Sequence, residues 1–325
     1  MKHRLGKLFL LVGLVAVIAA GCGDDKKTTT TASSGAGTSF AAGTTMARIQ
    51  QAGRIKIGVK FDQPGFGLKN PTNGQVEGFD VEIAKLIVAA IGPNVQIDFV
   101  ESVSKNREPF LQDGTVDMVV ATYTINDTRK QVVDFAGPYF VARQDIMVKK
   151  DDTAIKSVTD LNGKKVCTVK GSTSEKNLAA KAPSAEVTLF DTYSQCAEAM
   201  TDGRVVAVTT DNTILAGLVQ ASSGAFKLVE APFSDEPYGI GVKKGDDAFR
   251  TFINDRLEAI FGNGDWAKAF EKTLGAIGLK TPAPPKVDRY TATPPAPTTA
   301  PASGGSGSSS SSSSSSSGST TTTAN

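Results

Sequence analysis

Between residues 46 and 279 the chain alternates short apolar runs with segments whose apolar residues recur at helical spacing. Arg54–Val59 sets Ile55, Ile57 and Val59 on one face, the period of a strand. Asp80 then reads as the N-cap of a helix over 81–91. There Ile83, Ile87 and Ile91 recur every fourth residue, Ala84 and Val88 widen the face, and Gly92-Pro93 ends it. The pattern continues with a strand over 95–100, a helix over 105–112 and a strand over 116–121. A helical start near Asp127 and an extended stretch over 135–148 follow. The second half predicts strands over 165–169, 187–190 and 205–209, with helices over 173–181, 193–201 and 212–220. Such alternation predicts an α/β fold of parallel sheets with flanking helices, and a core of about 230 residues suffices for two modest lobes.

The ends behave differently. Lys2, Arg4 and Lys7 precede an apolar run from Leu8 to Ala20, and no acidic residue occurs before Asp24. That is the layout of a signal peptide over 1–21, too short to persist as a comfortable membrane span. It ends in Ala19-Ala20-Gly21-Cys22, which resembles the lipobox of bacterial lipoproteins, although Ala19 stands where Leu or Val is usual. Cys22 is therefore the expected lipidation site, and the alternative is ordinary signal cleavage beside an incidental cysteine. Either way the protein is expected to be exported, and lipidation would anchor it to the extracytoplasmic face of the cell membrane. Residues 22–45 read as a flexible tether. Residues 280–325, with Pro-Ala-Thr repeats and a serine tract over 308–317, have the composition of a disordered tail.

Charge and composition exclude several functions. Of 35 basic residues, the three in the signal peptide are removed on export, leaving 32 against 33 acidic. A nearly neutral chain without a polybasic run argues against a nucleic-acid partner. The single histidine, His3, lies in the signal peptide, so the mature chain lacks Ser-His-Asp and Cys-His catalysis and His-ligated metal sites. No metal or cofactor is expected. Cys167 and Cys196 are the remaining cysteines; export favours a disulfide between them, and two buried thiols are the alternative. A bridge closing about 30 residues contributes roughly 3–4 kcal/mol in the chain-entropy picture.

In open α/β sheets ligands sit beyond the carboxyl ends of the strands, which points to the segments after Val59, Ala121, Val169 and Thr209. These carry Lys60, then Thr122 through Lys130, then Lys170-Gly171-Ser172-Thr173-Ser174 opening a helix, then Asp211 at another helix start. A helix N-terminus is a ready anion site, and Arg129 offers a fork matched to a carboxylate. Asp211 offers the anion that an ammonium needs. Together they complement a zwitterionic amino acid, although each alone is more commonly a solvated arginine or an ordinary helix cap.

The order of these residues is itself recognisable. Thr122-Tyr123-Thr124-Ile125-Asn126-Asp127-Thr128-Arg129-Lys130, continuing to Val133-Asp134-Phe135-Ala136-Gly137-Pro138-Tyr139, resembles the T-x-T-x-x-x-x-R-K…V-D-F-S-x-P-Y signature of family 3 extracellular solute-binding proteins. These are the polar amino-acid receptors of ABC importers. Gly78-Phe79-Asp80-Val81 matches a G-F-D-V element, and Gly203 through Val208 a G-x-V-D-A-V element in which Val206 replaces the aspartate. The resemblance implies a type II periplasmic-binding-protein fold, two α/β lobes joined by two hinge strands. Lobe 1 is expected over 46–140 plus 239–279 and lobe 2 over 144–235, with hinges near Tyr139–Arg143 and Asp235–Gly239.

By the same resemblance Arg129 pairs with the ligand α-carboxylate, aided by Thr124 and the backbone N–H groups at Ser172 and Thr173. Asp211 and the carbonyl of Thr122 take the α-ammonium, while Tyr193 and Tyr238 fall at ligand-facing positions. Lys60 and Arg107 resemble positions of the acidic amino-acid receptors. Lys60, Arg107, Arg129 and Asp211 sum to +2 and a glutamate carries −1, so two cations remain for a side-chain carboxylate. Solvent exposure of Lys60, and a surface pairing of Arg107 with Glu108 or Asp113, are the alternatives. The expected function is capture of glutamate or aspartate by a monomeric receptor that delivers to ABC permease subunits. A glutamine or asparagine receptor, an amino-acid sensor signalling to a membrane partner, and a cleft enzyme such as a dehydratase are the competing readings. The cleft segments offer no acid-base glutamate beyond Glu108 and Glu175, both expected on outer helix faces, which argues against the enzyme.

Overall fold

A computed structural model describes residues 39–290. Cys22, the signal peptide, most of the tether and the serine tract lie outside the described residues. In chain order the strands are β1 Arg54–Val59, β2 Asp62–Gln63, β3 Gly67–Lys69, β4 Val76–Glu77, β5 Gln96–Glu101, β6 Met118–Val119, β7 Val133–Lys149, β8 Lys165–Val169, β9 Glu186–Phe190, β10 Ala207–Asp211, β11 Phe226–Leu228 and β12 Ser234–Lys243. The helices are α1 Thr45–Ala52, α2 Phe79–Ala89, α3 Arg107–Gln112, α4 Asp127–Lys130, α5 Thr173–Lys181, α6 Tyr193–Thr201, α7 Asn212–Ala221, α8 Asp247–Gly262 and α9 Asp265–Thr273.

One curled sheet runs β5-β1-β6-β12-β7-β10-β8-β9, with β11 beside β7 and a separate small sheet of β2, β3 and β4. Its two outer thirds are the parallel sheets expected of the alternating pattern, β5-β1-β6 in the first lobe and β10-β8-β9 in the second. Between them, β7 and β12 pair antiparallel along both lobes: Phe135 lies opposite Gly241 in the first, and Gln144 opposite Ser234 toward the second. The segments expected as hinges therefore pair with each other, Asp235 with Arg143 and Tyr238 with Phe140, and a bulge falls between Tyr238 and Ile240. This is the type II architecture of two α/β lobes on two hinge strands.

Several elements differ from their sequence expectation. α2 starts at Phe79, not after Asp80, and its N-cap is Gly78 at φ +132°. A Cβ on Gly78 would lie 2.2 Å from the Phe66 carbonyl oxygen, so only glycine fits this turn. Asp80 is thereby carried inside the helix and fully buried, where it accepts from Tyr139 Oη at 2.6 Å and Thr122 N–H at 2.9 Å. β10 ends at Asp211, two residues later than the apolar run suggests. Helices α8 and α9 pack on the first lobe. Trp266 and Phe270 join Phe66, Phe79, Phe140 and Tyr238 in edge-on and tilted ring contacts at 5.6–6.3 Å behind the hinge. Such aromatic pairs each add about 0.5–1.5 kcal/mol beyond their buried area.

Residues 281–290, which composition assigns to the tail, lie against the first lobe. Val287 is buried, Asp288 N–H donates to Gly137 O at 2.8 Å, and Phe135 N–H donates to Tyr290 Oη at 2.8 Å. They cover the edge of β7 that has no strand partner in this lobe, a protection that open edges generally need. In the second lobe the Cys167–Cys196 disulfide forms and joins β8 to α6.

Candidate ligand cleft

Positive charge gathers on the first-lobe side of the cleft. Arg107 opens α3, and its buried guanidinium donates to the carbonyls of Ser104 (3.2 Å), Ala121 (3.1 Å) and Thr122 (3.1 Å). It lies 4.4 Å from the Tyr123 ring centroid, with Arg129 at 4.9 Å from the same ring. A surface ion pair for Arg107 is thus excluded. Lys60, at the end of β1, is 3% exposed and gives one proton to Ser104 Oγ at 2.9 Å. Burial, reinforced by the Arg107 charge, lowers its pKa to about 7 despite the nearby Asp62 and Asp80. Burial and the Arg129 charge lower Arg107 to about 10.

Arg129 sits on the single turn of α4, whose N-cap Asn126 accepts from the Arg129 N–H at 2.9 Å. Its Nη1 donates to Thr124 O at 2.7 Å and its Nη2 crosses to Gly171 O of the second lobe at 3.1 Å. Its Nε pairs with Glu108 at 3.1 Å. Glu108, expected on an outer helix face, is therefore part of the cleft wall. Glu175 also differs from a plain surface residue, since its Oε2 accepts from Gly171 N–H at 2.7 Å.

One cavity gathers six of the expected ligand residues, two of them with a change of role, while Lys60, Thr124, Arg129 and Tyr238 lie outside its lining. Ser104, Arg107, Thr122, Ser172, Thr173, Tyr193 and Asp211 line a narrow, nearly closed cavity of about 10 Å3. Ser172 is consumed by the protein itself: its hydroxyl caps α5 through Glu175 N–H at 3.0 Å, and its own N–H turns back to Val169 O. The anion-facing donors of this helix start are then the N–H groups of Thr173 and Ser174, which have no partner within the helix. Thr122 is held at φ +43°, a strained setting for a β-branched residue, by Asp80 on its N–H and Gln63 on its hydroxyl. Its carbonyl, expected to face an ammonium, accepts from Arg107.

Asp211 occupies the N-cap position of α7 yet caps nothing with its side chain. Tyr238 Oη donates to its Oδ2, while its Oδ1 is buried without a partner. Burial, with the Glu236 charge second, pushes its carboxyl up to about 7. A buried unpaired carboxylate oxygen costs on the order of 1–3 kcal/mol or more, so Asp211 is poised for a cation. Tyr238 reaches the site through Asp211, and Tyr193 Oη lies 3.5 Å from Ser174 Oγ.

Sequence reading missed three groups. Asp62 of β2 accepts from the N–H groups of Tyr193 (2.8 Å) and Ser194 (3.5 Å), so a first-lobe carboxylate caps a second-lobe helix. Asp62 lies in the segment after Val59 to which the strand ends pointed, but nothing in its local sequence shows that it crosses to a helix of the other lobe. Lys105 reaches Asp191 across the same rim at 2.6 Å. Glu236, in β12, accepts from Thr124 and Thr173. Among the described residues no group of three or more His, Cys, Asp or Glu has a metal-binding arrangement.

Known proteins share this architecture. The glutamine-binding protein GlnH of a Bacillus subtilis ABC transporter is 43% identical over 267 residues, 81% of this chain and 95% of that protein. The glutamate-binding protein GluB of Corynebacterium glutamicum is 38% identical over 283 residues, 84% of this chain and 90% of its own. Among solved structures, an ancestral arginine-binding protein bound to glutamine superposes with a TM-score of 0.65 at 41% identity, covering 69% of this chain and 98% of that one. The family described as bacterial extracellular solute-binding proteins, family 3, matches residues 55–276. With its two lobes on paired hinge strands and a polar cleft between them, the chain belongs to the bacterial extracellular solute-binding proteins of family 3.

Proposed function

We propose that the protein captures glutamate or aspartate by closure of its lobes and presents it to the permease of an ABC importer. The observation that carries the amino-acid reading is the unpartnered Oδ1 of Asp211, buried in a cavity it shares with Arg107 and the start of α5. An α-ammonium satisfies that oxygen. The α-carboxylate meets Arg129 and the N–H groups at Thr173. Contacts from both lobes favour the closed state, because only that state makes all of them.

Acidic selectivity rests on Lys60 and Arg107. Burial depresses both pKa values, reinforced at Lys60 by the Arg107 charge and at Arg107 by the Arg129 charge, and a ligand side-chain carboxylate beside them relieves that cost. A glutamine ligand is the second reading. It is supported by GlnH, and by the acids that flank the cations: Glu108 on Arg129, Asp62 and Asp80 near Lys60. We further propose that the mature chain is a monomer anchored through Cys22, and that this anchor holds the receptor near its permease.

Calorimetry with a panel of amino acids tests the reading. Glutamate or aspartate should bind at least about 30-fold tighter than the amides, the size of effect expected for leaving a buried cation unpaired. Amides that bind as well or better would establish the glutamine reading. Arg129→Ala should abolish binding of every member of the panel, and binding retained in that variant would refute the site.

A further inference from the structure

The hinge strand brings a buried carboxylate to the junction of the two lobes. Glu236 is 2% exposed and receives four side-chain groups. Thr124 Oγ1 and Thr173 Oγ1 each donate to Oε2 at 2.7 Å, while Ser234 Oγ at 2.7 Å and Asn177 Nδ2 at 3.0 Å donate to Oε1. Four donors on two oxygens occupy the acceptor sites of the carboxylate. Thr124 belongs to the first lobe, where Ile125 N–H and Gly239 N–H tie its segment to β12. Thr173 opens α5 in the second lobe, and the two hydroxyl oxygens lie 3.4 Å apart.

A threonine hydroxyl has one proton and two acceptor lone pairs. With its proton committed to Glu236, each oxygen presents only acceptor capacity to whatever else it touches. Thr124 was expected to assist at the ligand carboxylate, which requires a donor; its hydroxyl has none left to give. Thr173 lines the same cavity as Asp211, whose Oδ1 also lacks a donor. We infer that Glu236 is a positioning residue that turns both hydroxyls into acceptors and thereby makes the cleft select for an ammonium group. Because one oxygen is shared between the lobes, this polarity is set as the lobes meet. The inference rests on the amino-acid reading above and assigns the specificity of its ammonium end.

The test uses the full chain and two probes, glutamate and glutarate, the same dicarboxylate without its ammonium. In the wild type glutamate should bind at least 100-fold tighter. Glu236→Gln is nearly isosteric, yet its amide N–H forces one hydroxyl to turn its proton toward the cleft. Glutamate affinity should then fall at least 10-fold while that for glutarate holds or rises, so the ratio shrinks by at least 10-fold. A purely structural hinge role would weaken both probes alike, and an unchanged ratio would overturn the inference. Should that variant not fold, Thr124→Val, nearly isosteric, removes one of the two hydroxyl acceptors that Glu236 holds. The ratio should then shrink about threefold, and constancy again overturns the inference. If the wild type binds neither glutamate nor any other amino acid, the amino-acid reading fails separately. The tie between lobes is then read in ligand-free protein from spin labels at exposed Asn73 and Lys181. Glu236→Gln should broaden their distance distribution, and an identical distribution counts against the tie.

Discussion

Replacing Asp211 with asparagine should stabilise the ligand-free protein while destroying its binding. The carboxyl is buried, one oxygen is orphaned, and its pKa moves from an ordinary 3.8 to about 7. Each pH unit of such a rise is worth about 1.4 kcal/mol, so ionised Asp211 destabilises the fold by about 4 kcal/mol. The sign follows from proton binding. Between about pH 4 and 7 the folded state holds a proton that the unfolded state has released, so stability falls as pH rises through that window. Above pH 7 the penalty is constant, and below about pH 4 it is absent. Asparagine keeps an acceptor for Tyr238 but carries no charge. Allowing for the cost of burying its amide, Asp211→Asn should gain about 2–4 kcal/mol at pH 7.5, roughly 5–15 °C in melting temperature. Near pH 4 the gain should vanish. Calorimetry of the same variant should show amino-acid affinity reduced at least about 30-fold, since a buried ammonium then lacks its counter-charge. A variant that melts lower than wild type at pH 7.5, or that still binds, would refute the assignment of Asp211 to the ammonium.

Further outcomes follow from the same geometry. Lys60→Met should weaken glutamate at least about 30-fold and glutamine little. In the wild type, glutamate affinity should decline as pH rises above 7, because Lys60 must then take up a proton to meet the ligand; calorimetry in buffers of different ionisation enthalpy measures that uptake. Gly217→Ala places a Cβ 2.4 Å from the Pro64 carbonyl oxygen across the cleft, so lobe closure should be obstructed. All ligands should weaken by about tenfold or more, roughly 1.4 kcal/mol against the closed state, and unchanged dissociation constants would disprove this contact's role. Replacing Cys167 and Cys196 with serine should lower stability by about 3–4 kcal/mol. Denaturant titration reads this directly, and a loss under about 1 kcal/mol would disprove the estimate.

The parts of the fold legible in the sequence were those governed by local periodicity. The strands over 54–59 and 165–169 and the helices over 173–181 and 193–201 appear as read, because their apolar spacing matches one buried face. The start of α2 was misplaced because Asp80 has the chemistry of an N-cap, while the close approach of Phe66 that demands Gly78 comes from a distant turn. Residues 281–290 read as tail because proline, threonine and alanine dominate their neighbourhood. What holds them is an open strand edge and two cations over Tyr290, the Arg250 guanidinium and the Lys130 ammonium, none of which composition reveals.

The same division runs through the cleft. Strand ends in an open α/β sheet gather where ligands bind, which brought Lys60, Thr122, Thr124, Arg129, Thr173 and Asp211 under suspicion; Arg107 came only from the family resemblance. The sequence by itself also removed histidine chemistry from the chain after His3, because an absent side chain cannot act. The tertiary structure decided what each group has left to offer. A hydrogen-bonding group has a fixed number of donors and acceptors, and neighbours far away in the chain use some of them. Glu236 takes the protons of Thr124 and Thr173, Arg107 takes the Thr122 carbonyl, and Glu108 takes one edge of Arg129. Only Asp211 keeps a buried oxygen with no partner among the described residues of that cavity, and only the folded chain distinguishes it from an ordinary helix cap.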